Sequence, residues 1–200
     1  MGAVVIDRET ELQLVAGIRA GDAAAFESIH EQFNPRLYNF LARLSNRRDV
    51  ADDLLEETWL RLVVHGPRLR PDTRLTAWLF TVARNLYVSY CRSRAIEDTY
   101  APGMFGLWPC GRQEPSPLQA AEAEETERRI AEALAALPAI YREALLLVAV
   151  EGLQPSDAAA VCGIAPAAMR QRVSRARALL SARLADAEVL LPVTLKELPI

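Results

Sequence analysis

The feature that most restricts the fold is an aperiodic stretch at residues 96–119, IEDTYAPGMFGLWPCGRQEPSPLQ. It contains four prolines and three glycines, and a structureless segment of about 24 residues is uncommon inside one compact domain. On either side of it apolar residues recur at helical spacing, and no segment alternates in the manner of a β-strand. We therefore predict an all-α protein with two small helical domains joined by a flexible linker.

Turn residues divide the first half into helices. Gly21 ends a first helix, and Asp22 can cap a second. Asn34 and Pro35 then read as the N-cap and first residue of a third helix. Two further helices are predicted at about residues 49–64 and 75–94, separated by a basic loop. The predicted domains are 8–95 and 123–186, with the linker at 96–122 and a C-terminal tail at 187–200.

The second half ends in a short helix, a turn and a long helix. Pro155 suits the first position of the short helix, Gly163 suits its end, and Pro166 opens the long helix. A short helix followed by a three- or four-residue turn with glycine is the helix-turn-helix layout. We predict that the second domain is a helix-turn-helix domain.

The last helix, PAAMRQRVSRARALLSARL, has two different faces. Met169, Val173 and Ala176 lie on an apolar stripe that continues through Leu180, whereas small, amide and basic residues lie opposite. Gln and Arg can make paired hydrogen bonds to base edges in a major groove, and arginines at the flanks can hold phosphates. The residues predicted to contact duplex DNA are Arg170, Gln171, Arg172, Ser174, Arg175 and Arg177.

Acidic residues occupy one face of the predicted helix at 49–64. Five carboxylates on one side of a helix repel one another, and a solvated surface commonly interleaves cations. The pattern indicates a binding face for a basic protein partner, or a plain solvated face. The residues are Asp49, Asp52, Asp53, Glu56 and Glu57.

The helix predicted at 75–94 interleaves aromatic and basic residues, TRLTAWLFTVARNLYVSYCRSR. Aromatic rings stack on unpaired bases, and cations hold the phosphates of a single strand. Trp78 also has core spacing with Leu79, Val82 and Leu86, so a structural role for it stays open. The residues predicted to contact single-stranded DNA are Arg74, Trp78, Arg84, Asn85, Tyr87 and Arg92.

Composition excludes several other functions. No apolar run approaches the roughly 20 residues that a membrane-spanning helix needs. The three cysteines are far apart, and the sequence contains neither a metal-ligand cluster nor a nucleophile, phosphate-loop or HExxH motif. We expect no catalytic residues, no metal, no cofactor and no membrane insertion, and therefore a cytoplasmic protein that is not an enzyme.

Three segments together resemble the extracytoplasmic-function (ECF) sigma factors of bacterial RNA polymerase, within the sigma-70 family. RDVADDLLEETWLRL is similar to the region 2 helix that docks on the polymerase clamp. TAWLFTVARNLYVSYCRSR is similar to the helix that melts and reads the −10 element. LPAIYREALLLVAVEGLQPSDAAAVCGIAPAAMRQRVSRARALL resembles region 4, which reads the −35 element. The family's two-domain form also agrees with a linker.

The resemblance implies a role for each predicted surface. The acidic face would bind core RNA polymerase at the clamp region of the β′ subunit, and the last helix would read duplex −35 DNA. The first domain would hold an unstacked −10 base in a pocket near Arg74, Asn85 and Tyr87. The partners would be core polymerase and promoter DNA, with an anti-sigma factor open as a further partner.

The sequence departs from the family pattern at three places. Glu56 stands where the family often has Gln, and Ser89 or Tyr90 occupies the place of a frequent Asp. Ala167-Ala168 replaces a frequent Gly-Thr at the start of the recognition helix, which removes a potential hydroxyl contact. The promoter preference is therefore not inferred from the family.

Two other functions are compatible with parts of the sequence. A dimeric helix-turn-helix regulator would explain the second domain but neither the acidic face nor the aromatic-basic helix. A helical adaptor would use the charged faces for protein binding alone. DNA binding without polymerase would favour the first alternative, and the absence of any DNA contact would favour the second.

Overall fold

The computed structural model describes residues 6–99 and 125–189. All regular elements in these two ranges are helical, which confirms the predicted all-α class. The helices are α1 (Arg8–Ala20), α2 (Ala23–Ser45), α3 (Arg48–His65), α4 (Leu75–Thr99), α5 (Glu125–Ala135), α6 (Ala139–Leu145), α7 (Pro155–Cys162) and α8 (Pro166–Val189). A 3-10 turn at Gly66–Arg68 follows α3, and a π-helical segment at Leu146–Val150 continues α6.

Several helix ends lie where the sequence predicted them. Gly21 adopts a left-handed conformation with φ 74° at the end of α1, and Gly163 does the same with φ 65° at the end of α7. The Asp22 carboxylate accepts a hydrogen bond from the Ala24 N–H at the start of α2. These caps satisfy backbone groups that a helix leaves unpaired at its ends.

The predicted helix boundary at Asn34-Pro35 is wrong, because α2 runs through it without a break. Pro35 has no N–H to donate, and a proline inside a helix costs about 3 kcal/mol. Phe33 and Leu37, on either side of it, are completely buried, and their packing offsets that cost. The Asn34 side chain does not cap a helix and instead accepts a hydrogen bond from Trp59 Nε1 at 3.0 Å.

The N-terminal half, α1 to α4, packs around buried aliphatic and aromatic side chains. Phe40 of α2 and Phe80 of α4 meet edge to face, with ring centroids 5.2 Å apart. Helix α4 continues to Thr99, past the predicted end at Arg94. The predicted linker from residue 100 onward and the tail from residue 190 onward lie outside the described residues.

The C-terminal half, α5 to α8, packs directly on the N-terminal half. Helix α7 lies against α4, and α6 with the π-helical segment lies against α2. Leu146 and Val161 belong to the same buried apolar cluster as Phe33 and Phe80. One hydrophobic cluster therefore extends through the described parts of both halves, and a smaller cluster lies within the C-terminal half.

Arg142 joins the two halves through backbone carbonyls. Its guanidinium donates to Leu134 O at 3.1 Å and Ala135 O at 2.6 Å, at the end of α5, and to Leu137 O at 3.1 Å. It also donates to Leu44 O, in the last turn of α2, at 3.1 Å. A cation stabilises the negative end of a helix dipole, and this one side chain lies at the ends of two helices.

Candidate nucleic-acid and protein-binding surfaces

The apolar stripe of α8 faces inward, which confirms the orientation predicted for this helix. Met169 and Ala176 are completely buried, and Val173 is nearly so. Helix α8 packs on α6 and α7 through this stripe. The left-handed Gly163 turns the chain between α7 and α8, so the two helices adopt the helix-turn-helix arrangement.

The polar side of α8 is basic and largely exposed. Arg172 is partly exposed, and the other predicted DNA contacts on this helix are exposed: Arg170, Gln171, Ser174, Arg175 and Arg177. None of the arginines on this face pairs with a carboxylate among the described residues. The surface therefore combines unneutralised positive charge with an exposed amide, as phosphate and base-edge contacts require.

The acidic side chains of α3 lie on its outer face. Asp49, Asp52, Asp53 and Glu56 are exposed, and Glu57 is partly exposed. The two ends of this row are paired, because Asp49 accepts from Arg47 and Glu57 accepts from Arg61 Nε at 2.7 Å. The hydrogen bond from Arg47 lowers the pKa of Asp49. The three central carboxylates have no ion pair with a described residue, so the negative charge is concentrated at the middle of the face.

An apolar patch extends the acidic face toward the end of α3. Leu60, Val63 and Val64 are each about 60% exposed (58%, 58% and 61%). Leu60 follows Glu57 by three residues and Glu56 by four, and Val63 and Val64 follow Leu60 at the same spacing, which keeps residues on one side of a helix. The sequence did not predict this patch, because an aliphatic residue on a charged helix face can still be covered by another part of the protein. The combined acidic and apolar surface has the character of a protein-binding site.

A cavity of about 560 Å³ opens between the end of α3 and the first half of α4. Trp78 and Asn85, both predicted to contact single-stranded DNA, line it. Arg61, His65 and Arg68 line the opposite wall. An aromatic ring, an amide and three basic side chains thus surround one opening. The three basic residues were not predicted, because they belong to a different helix and turn in the sequence.

The other residues predicted to contact single-stranded DNA lie away from this cavity. Arg84 Nε donates to Glu143 Oε1 of α6 at 2.8 Å, and Arg74 lies 3.8 Å from Asp157 of α7. The Tyr87 ring is 2% exposed, and its hydroxyl donates to Leu44 O at 3.1 Å. Arg92 is exposed on the outer part of α4. The structure therefore brings Asn85 together with Trp78, and not with Arg74 or Tyr87.

No cluster of three or more His, Cys, Asp or Glu side chains with metal-binding geometry is found in residues 6–99 and 125–189. In the same residues, no helix is long and apolar enough to span a membrane.

Both halves match known protein families. Residues 29–97 match the model for Sigma-70 region 2, and residues 127–180 match the model for Sigma-70 region 4. The ECF RNA polymerase sigma factor EcfG of Rhodopseudomonas palustris is 42% identical over 150 residues, which span 75% of this chain and 80% of that protein. The ECF RNA polymerase sigma factor SigC of Mycobacterium tuberculosis is 33% identical over 191 residues, or 94% of this chain and 97% of that protein.

Solved structures of similar fold include two protein complexes. The sigma factor RpoE of Bartonella quintana, in complex with the anti-sigma factor NepR, has a TM-score of 0.68 and 31% identity, and the match covers 80% of this chain and 96% of RpoE. CnrH in complex with the cytosolic domain of CnrY has a TM-score of 0.65 and 26% identity, and the match covers 90% of this chain and 99% of that chain.

The chain combines a helical half that matches region 2 with a helix-turn-helix half that matches region 4. This combination defines a DNA-binding protein that acts in promoter-specific transcription initiation. The similar proteins identify the family within this class. The chain belongs to the ECF sigma factors of the sigma-70 family.

Proposed function

We propose that this sigma factor binds core RNA polymerase and reads both promoter elements with different parts of its surface. The observation that carries the proposal is the presence on one chain of an unneutralised basic recognition helix and a separate acidic and apolar face. Such a protein acts by binding, without covalent chemistry, in the cytoplasm where polymerase works. Its functional regions are 8–95 and 123–186, which largely contain the two matched ranges.

Helix α8 reads the −35 duplex. Gln171, Ser174 and Arg175 lie opposite the buried stripe and face base edges, whereas Arg170, Arg172 and Arg177 hold phosphates on either side. The exposure of this face and the absence of acid partners among the described residues support the assignment. Phosphate contacts fix the register of a helix in the groove, and base contacts provide the sequence preference.

The cavity beside α4 holds an unstacked base of the −10 element. Trp78 offers a ring for stacking, Asn85 offers an amide for the base edge, and Arg61 and Arg68 attract the adjacent phosphates. Capture of a flipped base must offset an unstacking cost of a few kcal/mol. Arg74, Arg84 and Arg92 would guide the strand along α4, and the buried Tyr87 supports α4 from within the core.

The outer face of α3 docks on the clamp region of the polymerase β′ subunit. The central carboxylates Asp52, Asp53 and Glu56 supply charge, and the exposed Leu60 and Val64 supply the apolar area that a stable interface needs. An anti-sigma factor is a further proposed partner, because the similar structure of RpoE is a sigma factor in complex with the anti-sigma factor NepR.

The polymerase assignment is tested by reversing charge on α3. The D53K/E56K variant should bind core polymerase more weakly, and the loss should be larger at low salt, where surface charge is less screened. The matched control is E27K/E31K, which makes the same change at two exposed residues of α2. Equal core affinity of both variants in a quantitative pull-down at low and moderate salt would contradict the assignment.

A further inference from the structure

Helix α1 contains a buried carboxylate with two partners. Glu11 is only 5% exposed. Its Oε1 accepts a hydrogen bond from the Thr76 N–H at 3.0 Å, and its Oε2 lies 2.6 Å from Arg8 Nη1. Helix α1 precedes residue 29, where the match to the region 2 model begins. The carboxylate therefore lies outside the part of the chain that the family model describes, and it contacts that part at Thr76.

Thr76 is the second residue of α4. Its N–H belongs to the first turn of the helix, where backbone donors have no partner within the helix. Glu11 thus caps α4 from another helix, 65 residues away in the sequence. A carboxylate is favoured at this place because it lies at the positive end of the helix dipole.

Arg8 extends the same contact to the loop before α4. Its Nη1 donates to Thr73 O at 3.2 Å, and its Nη2 donates to Asp72 O at 2.8 Å. The guanidinium therefore joins Glu11 to two consecutive backbone carbonyls of this loop. A rigid planar guanidinium can hold three acceptors in one arrangement, whereas a lysine ammonium imposes no such geometry.

The other end of α1 holds the beginning of this loop. Ile18 packs against Gly66 so closely that a Cβ placed on the glycine would lie 2.4 Å from Ile18 Cγ2. Gly66 is the first residue of the 3-10 turn Gly66–Arg68. Helix α1 therefore contacts the segment between α3 and α4 at both of its ends.

This segment forms part of the wall of the proposed −10 cavity. Arg68 and Leu69 line the cavity from the segment, and Trp78 lines it from the first turn of α4 that Glu11 caps. Leu69 is buried, so it cannot move independently of the surrounding core. A displacement of either end of the segment would change the distance between Arg68 and the Trp78 ring.

We propose that Arg8 and Glu11 are a positioning pair that sets the geometry of the −10 cavity. The inference rests on the proposed function of that cavity. Neither side chain lines the opening; they act through the α4 N-terminus and the carbonyls of Asp72 and Thr73. Helix α1 is then part of the promoter-opening surface, although it does not touch the DNA.

The experiment uses the full chain assembled with core polymerase and two variants of the pair. R8Q removes the guanidinium that holds the loop. E11M replaces the capping carboxylate by an apolar side chain of similar length. The probe is a fork-junction DNA with 2-aminopurine in the −10 strand, whose fluorescence reports unstacking. We expect both variants to bind this probe about tenfold more weakly and to lose most of the fluorescence change.

Two further measurements separate positioning from general folding. Affinity for core polymerase and affinity of the holoenzyme for a −35 duplex should stay unchanged, because α3 and α8 do not depend on these contacts. E11Q retains an acceptor for the Thr76 N–H but not the charge, so its loss should be smaller than that of E11M. The control E9Q changes an exposed glutamate in the same turn and should behave like the wild type.

The possible results distinguish this inference from the proposed function. If R8Q and E11M bind the probe normally while W78A and N85A lose it, the cavity assignment holds and the positioning role is wrong. If W78A and N85A also bind normally, the cavity assignment itself fails, and the inference fails with it. Equal loss of core, −35 and −10 binding in both R8Q and E11M would show a purely structural role and would also overturn the inference.

Discussion

Arg84 of α4 and Glu143 of α6 form an ion pair between the two halves of the molecule, with Nε and Oε1 2.8 Å apart. The Arg84 side chain is 21% exposed and the Glu143 side chain 8%. Removal of one partner from a fully buried pair costs 3–5 kcal/mol as a rule, because the other charge is left without compensation. This pair is partly hydrated, so a smaller cost is expected.

We predict that E143Q lowers the free energy of unfolding by about 2–3 kcal/mol. The matched control is E132Q, which removes the acid of the more exposed Arg128–Glu132 pair on α5 and should cost less than about 1 kcal/mol. Urea unfolding followed by circular dichroism measures both values. Equal destabilisation by the two substitutions would show that Arg84 and Glu143 do not couple the halves.

The same pair predicts a competition for Arg84. In the proposed function this guanidinium guides the −10 strand, and it cannot bind a DNA phosphate and Glu143 with the same donors. The free E143Q protein should therefore bind a single-stranded −10 oligonucleotide more tightly than the wild type or E132Q does. Fluorescence anisotropy at two salt concentrations measures the affinity of each protein for the oligonucleotide. Unchanged affinity of E143Q would show that Arg84 does not contact the −10 strand.

A second contact between the halves predicts a pH dependence. Burial raises the pKa of Glu151 above its ordinary value of 4.5, although Arg36 Nε lies 3.0 Å from its carboxylate and acts in the opposite direction. The folded protein thus retains this proton at pH values where the unfolded chain has lost it. The resulting stability is complete below the ordinary pKa and is lost as the pH rises through the raised pKa.

Replacement of Glu151 by Gln should remove this contribution. The unfolding free energy of the wild type minus that of E151Q should fall as the pH rises above about 4.5, by at most about 1.4 kcal/mol per pH unit. Denaturant unfolding over a pH series measures the difference. E27Q, at an exposed glutamate of α2, should show no such fall. A difference that increases with pH would mean that the ion pair with Arg36 outweighs burial.

Cys162 at the end of α7 provides a chemical probe of the same region. Burial, assisted by the nearby Glu143 carboxylate, raises the pKa of this thiol to about 12. The thiolate is the reactive form, and at pH 8 only about one molecule in 10⁴ carries it. In a C91A/C110A background, Cys162 should react with a disulfide reagent far more slowly in the folded protein than in urea.

The E143Q substitution should accelerate this reaction, because it removes a negative charge that opposes thiolate formation. E132Q changes a glutamate of α5 that does not act on the Cys162 thiol, and it should leave the rate unchanged. Stopped-flow absorbance follows the released thiol. A folded-state rate equal to that in urea would show that Cys162 is not protected between the halves.

Local signals in the sequence predicted most helix ends, and tertiary contacts explain where they failed. Gly21, Asp22 and Gly163 act through their own backbone or the next turn, so their effect is visible in a short window. Pro35 failed as a boundary because burial of Phe33 and Leu37 outweighs its local cost.

The binding surfaces also show that local patterns could be predicted from the sequence and tertiary contacts could not. The helical wheel of α8 identified the buried stripe because Met169 and Val173 repeat within one helix. The cavity beside α4 could not be predicted in the same way, since His65 and Arg68 come from another helix and turn. In the sequence Glu11 resembles an ordinary surface glutamate. Only its contact with the Thr76 N–H in the structure shows that it caps α4.

Helix α8 allows the two kinds of DNA contact to be separated. Gln171 and Arg175 are exposed opposite the buried stripe and are proposed to meet base edges. Q171A and R175A should each cost about 1–3 kcal/mol at the preferred −35 sequence and relax the preference at one or two positions. A promoter-library transcription assay with the holoenzyme measures the preference.

Arg170 and Arg177 are exposed at the flanks of the same face and are proposed to meet phosphates. R170A and R177A should weaken binding almost equally on all sequences and reduce the slope of log affinity against log salt by about one. Stability should change little in all four variants, because the buried Met169, Val173 and Ala176 are untouched. If Q171A and R175A leave the −35 preference unchanged while R170A or R177A alters it, the helix enters the groove on a different side from the one proposed.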